Sequence, residues 1–240
     1  MRLLVPLMSL LALTACNAAN GAQDREPGPA GTKSFALTGF DQVSLRGSDD
    51  VSVTMGDAFS VVATGPENIL AELELTVENN VLKVGRKSRA GWSFGNNSGV
   101  TVAVTMPAIK GAAVGGSGDM TVAATQSESF DASVAGSGLL RVTGLSTGAV
   151  SASVAGSGDL QIGGTAKSVS ASIAGSGDVK ARDLAAETAE ISIAGSGNVS
   201  VRATQSASVS LMGSGDVEIV GTDNCKVSKM GSGDVRCVMQ

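Results

Sequence analysis

The tripeptide Gly-Ser-Gly starts at residues 116, 136, 156, 175, 195, 213 and 231, at intervals of 20, 20, 19, 20, 18 and 18 residues. A word repeated at that period marks one supersecondary unit copied in tandem. A unit of about 20 residues cannot bury an apolar face alone, so its copies must stack.

Alignment of the copies on the tripeptide separates inside from outside. After the corner, Met120, Leu140, Leu160, Val179, Val199, Val217 and Val235 form one apolar column. Val122, Val142, Ile162, Ala181, Val201, Ile219 and Cys237 form a second. Between them stand Thr121, Arg141, Gln161, Lys180, Ser200, Glu218 and Arg236, a variable and outward column. Before the corner, Val114, Val134, Val154, Ile173, Ile193 and Leu211 alternate with Ala113, Ser133, Ser153, Ser172, Ser192 and Ser210. Period two with one apolar face is the signature of a half-buried strand. Coils stacked at roughly 4.8 Å turn each column into a continuous ridge, each buried Val, Leu or Ile contributing about 1.5–3 kcal/mol. The expected fold is an all-β β-solenoid, a single-chain β-helix with about 18–20 residues per coil.

The repeated word reads as a corner. Glycine accepts positive φ and has no Cβ to meet the neighbouring coil. Asp119, Asp159, Asp178, Asn198, Asp216 and Asp234 close the word, and such side chains make Asx turns with nearby backbone. The sharper alternative is a cation column of stacked carboxylates. One Asp per coil, interrupted at Leu139 and Asn198, supplies too few oxygens for a calcium roll, so no metal and no cofactor are expected. In the last copy Lys229 takes the place of the buried aliphatic, as suits a wetted end coil.

The flanks of the repeat locate the protein. Arg2 followed by the apolar run Leu3–Leu13 is a secretory signal, too short to span a bilayer. Leu13-Thr14-Ala15-Cys16 resembles the bacterial lipobox, so residues 1–15 read as a lipoprotein signal peptide and Cys16 as the lipid-bearing residue. Residues 16–31 are small, polar and proline-bearing, a tether between lipid and domain. The expected partner is therefore a membrane, reached through that anchor outside the cytoplasm. Cys225 and Cys237 remain as an even pair in an oxidising compartment, a candidate disulfide with two buried thiols as the alternative.

Residues 32–110 carry a weaker pattern, with Gly47-Ser48-Asp49-Asp50-Val51 as a worn copy of the corner and a hairpin turn at Glu78-Asn79-Asn80. This region is expected to continue the stack or to cap it, ahead of the regular repeats in 111–240. The order Phe40-Asp41-Gln42-Val43, Asp50-Val51-Ser52-Val53, Val61 to Gly65, Leu82-Lys83-Val84, Met106-Pro107, then Gly-Ser-Gly-Asp coils resembles the bacterial auto-transporter adhesin family with the head GIN domain. The resemblance covers roughly residues 33–240. It implies a pectin-lyase-like β-helix and a role in cell adhesion, and it carries no catalytic residues.

Composition narrows the functions. A net charge of −5 with 17 Lys and Arg scattered over 240 residues is a poor match to nucleic acid. The chain has no His, which hexapeptide acyltransferases on superficially similar folds use and which a serine nucleophile needs as its base. A polysaccharide-cleaving β-helix would gather Asp with Lys or Arg in one groove; Lys180, Arg141 and Asp183 are the nearest approach to such a set. One local feature suggests a binding loop for a glycan or protein ligand: Arg86, Lys87 and Arg89 beside Trp92, the sole tryptophan. The alternative is a hairpin extension whose aromatics pack on the solenoid end. The expected protein is a non-catalytic, lipid-anchored envelope protein that adheres or binds through an extended surface. A periplasmic scaffold is the alternative, and a polysaccharide-active enzyme a more distant one.

Overall fold

The computed structural model describes residues 28–87 and 99–239 of the chain. These form sixteen strands and one helical turn. The strands join one sheet that winds into a β-solenoid.

The regular part consists of β9 (Met120–Gly136), β10 (Leu139–Gly156), β11 (Asp159–Gly175), β12 (Val179–Gly195) and β13 (Val199–Gly213), each running from one Gly-Ser-Gly corner to the next. Each pairs in parallel with the next in the register of the repeat. Val134 lies against Val154, Val154 against Ile173, Ile173 against Ile193, and Ile193 against Leu211. The inward columns are buried almost completely and meet in a single core. Small aliphatic side chains suit this space, because the facing walls of one narrow coil must meet without voids.

The amino-terminal region is both coil and cap, and its spatial order departs from its sequence order. β2 (Gln42–Gly47) and β3 (Asp50–Met55) make one coil, lying directly against β8 (Gly111–Gly116) and β9. Gly47 stands opposite Gly116, so the worn corner occupies its place in the column. The other side of this coil is covered by β6 (Val81–Arg86) and β7 (Thr101–Met106), which come later in sequence but lie further out. Antiparallel strands close the outer edges. β5 (Leu73–Glu78) pairs with β6 through a hairpin in which Asn79 and Asn80 adopt φ of 52° and 63°. β4 (Ser60–Pro66) pairs with β7, and β1 (Ala30–Phe35) with β4. Strand β1 thus starts ahead of residue 32, within the segment expected as tether. The helical turn α1 (Glu67–Leu70) holds the entering chain, the Gly28 N–H donating to Asn68 Oδ1 at 3.0 Å. Among the described residues no helix is long and apolar enough to cross a membrane.

Candidate functional site

Successive corners are hydrogen-bonded directly to one another. In the corners from Gly47 to Gly175 the carbonyl of the first glycine accepts two N–H groups from the next coil. Gly116 O receives Ser137 N–H at 2.8 Å and Gly138 N–H at 3.0 Å, and Gly156 O receives Ser176 and Gly177 likewise. That approach leaves no room for a side chain. A Cβ on Gly116, at φ +127°, would lie 2.4 Å from Gly47 O, and one on Gly177 would lie 2.0 Å from Gly158 O. Both glycines of the word are therefore fixed by the coil beneath.

The closing residue also reaches between coils, which revises the expected Asx turn. Asp119 Oδ1 accepts the N–H of Leu139 at 3.0 Å, Asp159 that of Asp178 at 3.3 Å, and Asp178 that of Asn198 at 3.0 Å. Asn198 and Asp216 pass the bond on to Asp216 and Asp234 at 3.0 and 2.8 Å. Each side chain satisfies its neighbour's backbone instead of its own. Where Leu139 interrupts the ladder, the N–H of Asp159 turns to Gly138 O at 3.1 Å.

Beside this ladder runs an open groove of about 420 Å³ lined by Asp178, Lys180, Asn198, Asp216, Glu218 and Arg236 among others. Asp178, Asp216, Glu218 and Asp234 leave it acidic against Lys180 and Arg236, and some of these charges pair with residues beside it. The Lys180 ammonium sits 2.7 Å from Asp159 and 3.6 Å from Asp178, and the hydrogen bond to Asp159 raises its pKa. Arg182 pairs with Glu218 at 3.2 Å. Arg141 Nε donates to Gln161 at 3.1 Å. Lys180 and Arg141 thus have partners other than Asp183. No group of three or more potential metal ligands converges among the described residues.

The second candidate lies where β6 ends and β7 begins. Where the β2–β3 coil turns with Ser48 and Asp49, the β6–β7 coil inserts residues 87–100. Asp49 is fully buried at the base of this insertion. Its carboxylate accepts Arg86 Nε at 2.9 Å, a second guanidinium N–H, and the Val100 N–H at 3.1 Å. One carboxylate thereby holds both ends of the insertion. The bond to Asp49 raises the Arg86 pKa further, so the charge is permanent. Arg86 accordingly serves the scaffold, whereas Lys87 is exposed. Arg89 and Trp92 lie outside the described residues, as does Cys16.

The sequence profile described as "Putative auto-transporter adhesin, head GIN domain" matches residues 39–223, more than half of the chain. The chain belongs to this family. Among solved structures it is similar to a putative adhesin of Bacteroides fragilis, with a TM-score of 0.80 and 22% identity over 88% of this chain and 97% of that one. A putative lipid binding protein of Parabacteroides distasonis gives 0.69 and 28%, over 88% and 97%. A putative adhesin of the same species gives 0.67 and 22%, over 88% and 98%. No curated protein sequence matches the chain.

At the far end of this head GIN solenoid, β14 (Val217–Val220), β15 (Cys225–Gly231) and β16 (Val235–Val238) complete the last coils. Cys225 and Cys237 are joined by a disulfide with Cα atoms 6.6 Å apart, tying β15 to β16. Lys229 lies opposite Leu211 and donates from Nζ to Gly233 O at 2.8 Å. Sequence reasoning missed the role of Asp49. Its signal was present, since Asp49 occupies a place that every later copy gives to glycine.

Proposed function

We propose that this protein is a lipid-anchored component of the bacterial envelope that works by adhesion or binding across an extended, non-catalytic surface. The observation that carries the reading is the exposed face of the limb preceding each corner. There Ser151, Ser170, Glu190 and Ser208 lie in register, beside a second column of Ser153, Ser172, Ser192 and Ser210. A shallow groove of about 440 Å³ follows this face, with Ser129, Ser168 and Thr188 along its margin. Parallel strands hold these hydroxyls at one repeat distance, a layout that suits a long repetitive ligand. None of these serines has a histidine to activate it, which supports binding over chemistry.

Cys16 carries the anchor in this reading, and the adhesin family membership supports placement in the envelope. Fractionation of cells carrying the wild-type chain or Cys16→Ala tests the anchor: the wild type is expected with membranes and the variant in the soluble fraction. Protease shaving of intact cells tests display. Digestion of the solenoid is expected; full protection with the membrane-bound protein intact would favour the periplasmic scaffold and end the surface-adhesion reading.

A further inference from the structure

Among the described residues, the exposed large hydrophobic side chains are Met212 (60% exposed), Val227, Met230 (71%), Val238 and Met239 (68%). All lie on the last two coils. Met212 and Met230 are neighbours across β13 and β15. β15 pairs with β13 alone, so its outer edge is open. Apolar side chains grouped at one pole of a molecule that elsewhere buries them mark a contact surface.

The charge at this pole says what kind of contact. The terminal strands β15 and β16 carry Lys226, Lys229 and Arg236 and no carboxylate; with Asp223 and Asp234 in the adjoining turns the pole is net +1, in a chain whose total is −5. A second copy meeting this pole would bring two cationic edges together, and lysines on an edge strand oppose such pairing. An anionic lipid surface meets both properties. Its headgroups attract the cations, and methionine and valine enter the boundary beneath them. Shallow insertion also leaves the open β15 edge within reach of water, which the hydrocarbon core would deny it.

We infer that the carboxy-terminal coil is a docking tip for an anionic phospholipid bilayer. The chain enters the fold at the opposite, capped end, beside Asn68. From Gly47 to Gly231 the corner column rises seven steps of roughly 4.8 Å, about 34 Å. If the Cys16 anchor proposed above holds, the tip faces away from the anchoring membrane. The docking itself does not depend on that anchor.

The test uses the full chain carrying Cys16→Ser, so that no lipid on residue 16 contributes. It is sedimented with vesicles of phosphatidylglycerol and phosphatidylcholine, and with phosphatidylcholine alone. Several-fold greater binding to the anionic vesicles is expected, weakening as salt rises. Met212→Ser with Met230→Ser, or Lys226→Glu with Arg236→Glu, should reduce binding to the phosphatidylcholine level; all four positions are exposed, and the unfolding midpoint verifies the fold. Equal binding by every variant would overturn the inference, as would equal binding to both vesicle types. So would a dimer in sedimentation velocity, without vesicles, that the same substitutions dissociate. Cell shaving reads surface display separately, so either idea can fail without the other.

Discussion

Arg86 and Asp49 meet at 2.9 Å across 37 residues of sequence, with the carboxylate fully buried and the guanidinium 27% exposed. The pair joins the outermost coil to the one inside it. Because Asp49 also binds the Val100 N–H, its removal leaves both a cation and a backbone donor without their acceptor. Asp49→Leu is expected to cost about 3 kcal/mol, toward the lower end for a broken buried pair because Arg86 retains some water. Asp49→Leu with Arg86→Leu should cost less than Asp49→Leu alone. Urea unfolding of Asp49→Leu, Arg86→Leu and the double variant measures this, and simple additivity would mean that the two groups act independently.

Two adjacent glycines provide a sharper contrast. A Cβ on Gly115 would lie 3.5 Å from Leu45 O, an ordinary contact, and later copies carry Ala135, Ala155, Ala174 and Ala194 there. Gly115→Ala should be neutral or stabilising by about 0.5 kcal/mol through the unfolded chain. Gly116→Ala demands a left-handed φ from alanine and pushes into Gly47, so a loss above about 3 kcal/mol is expected. Thermal denaturation separates them. Comparable midpoints would contradict the tight stacking of the corners.

The disulfide closes a loop of 12 residues around the terminal corner. Its removal by Cys225→Ser with Cys237→Ser releases about 3 kcal/mol of constraint on the unfolded chain, by the loop-entropy account. In a stack where each coil touches its neighbours, that loss should stay local. Hydrogen exchange is expected to show lost protection in β15 and β16 with β11 unchanged. Equal loss in β11 would show that the end coil is not a separable unit.

The repeat columns were legible because each inward position recurs once per coil, and parallel pairing converts that recurrence into contact. Val134, Val154 and Ile173 align on their spacing from the tripeptide, and they are neighbours in the folded chain. Even the worn corner at Gly47 was readable. The placement of β6 and β7 outside β2 and β3 was not, because it depends on which edges β4 and β5 cover, and strand alternation looks the same in either order. The partner of each corner Asp was hidden for a related reason. A bond within one coil and a bond to the next require the same residue at the same spacing. Asp49 differed from its column, yet only its partners Arg86 and Val100, 37 and 51 residues away in sequence, explain why a carboxylate fits where glycine is otherwise obligatory.

Every interior corner offers the following winding a glycine carbonyl and, in most coils, one side-chain oxygen. The specialised closures are confined to the two extremities. Excising the stretch from one corner to the next would thus preserve the junction, since the winding above would find an equivalent seat on the winding below. Length in such a rod is a quantity evolution can adjust in whole increments of roughly 4.8 Å, leaving both extremities untouched.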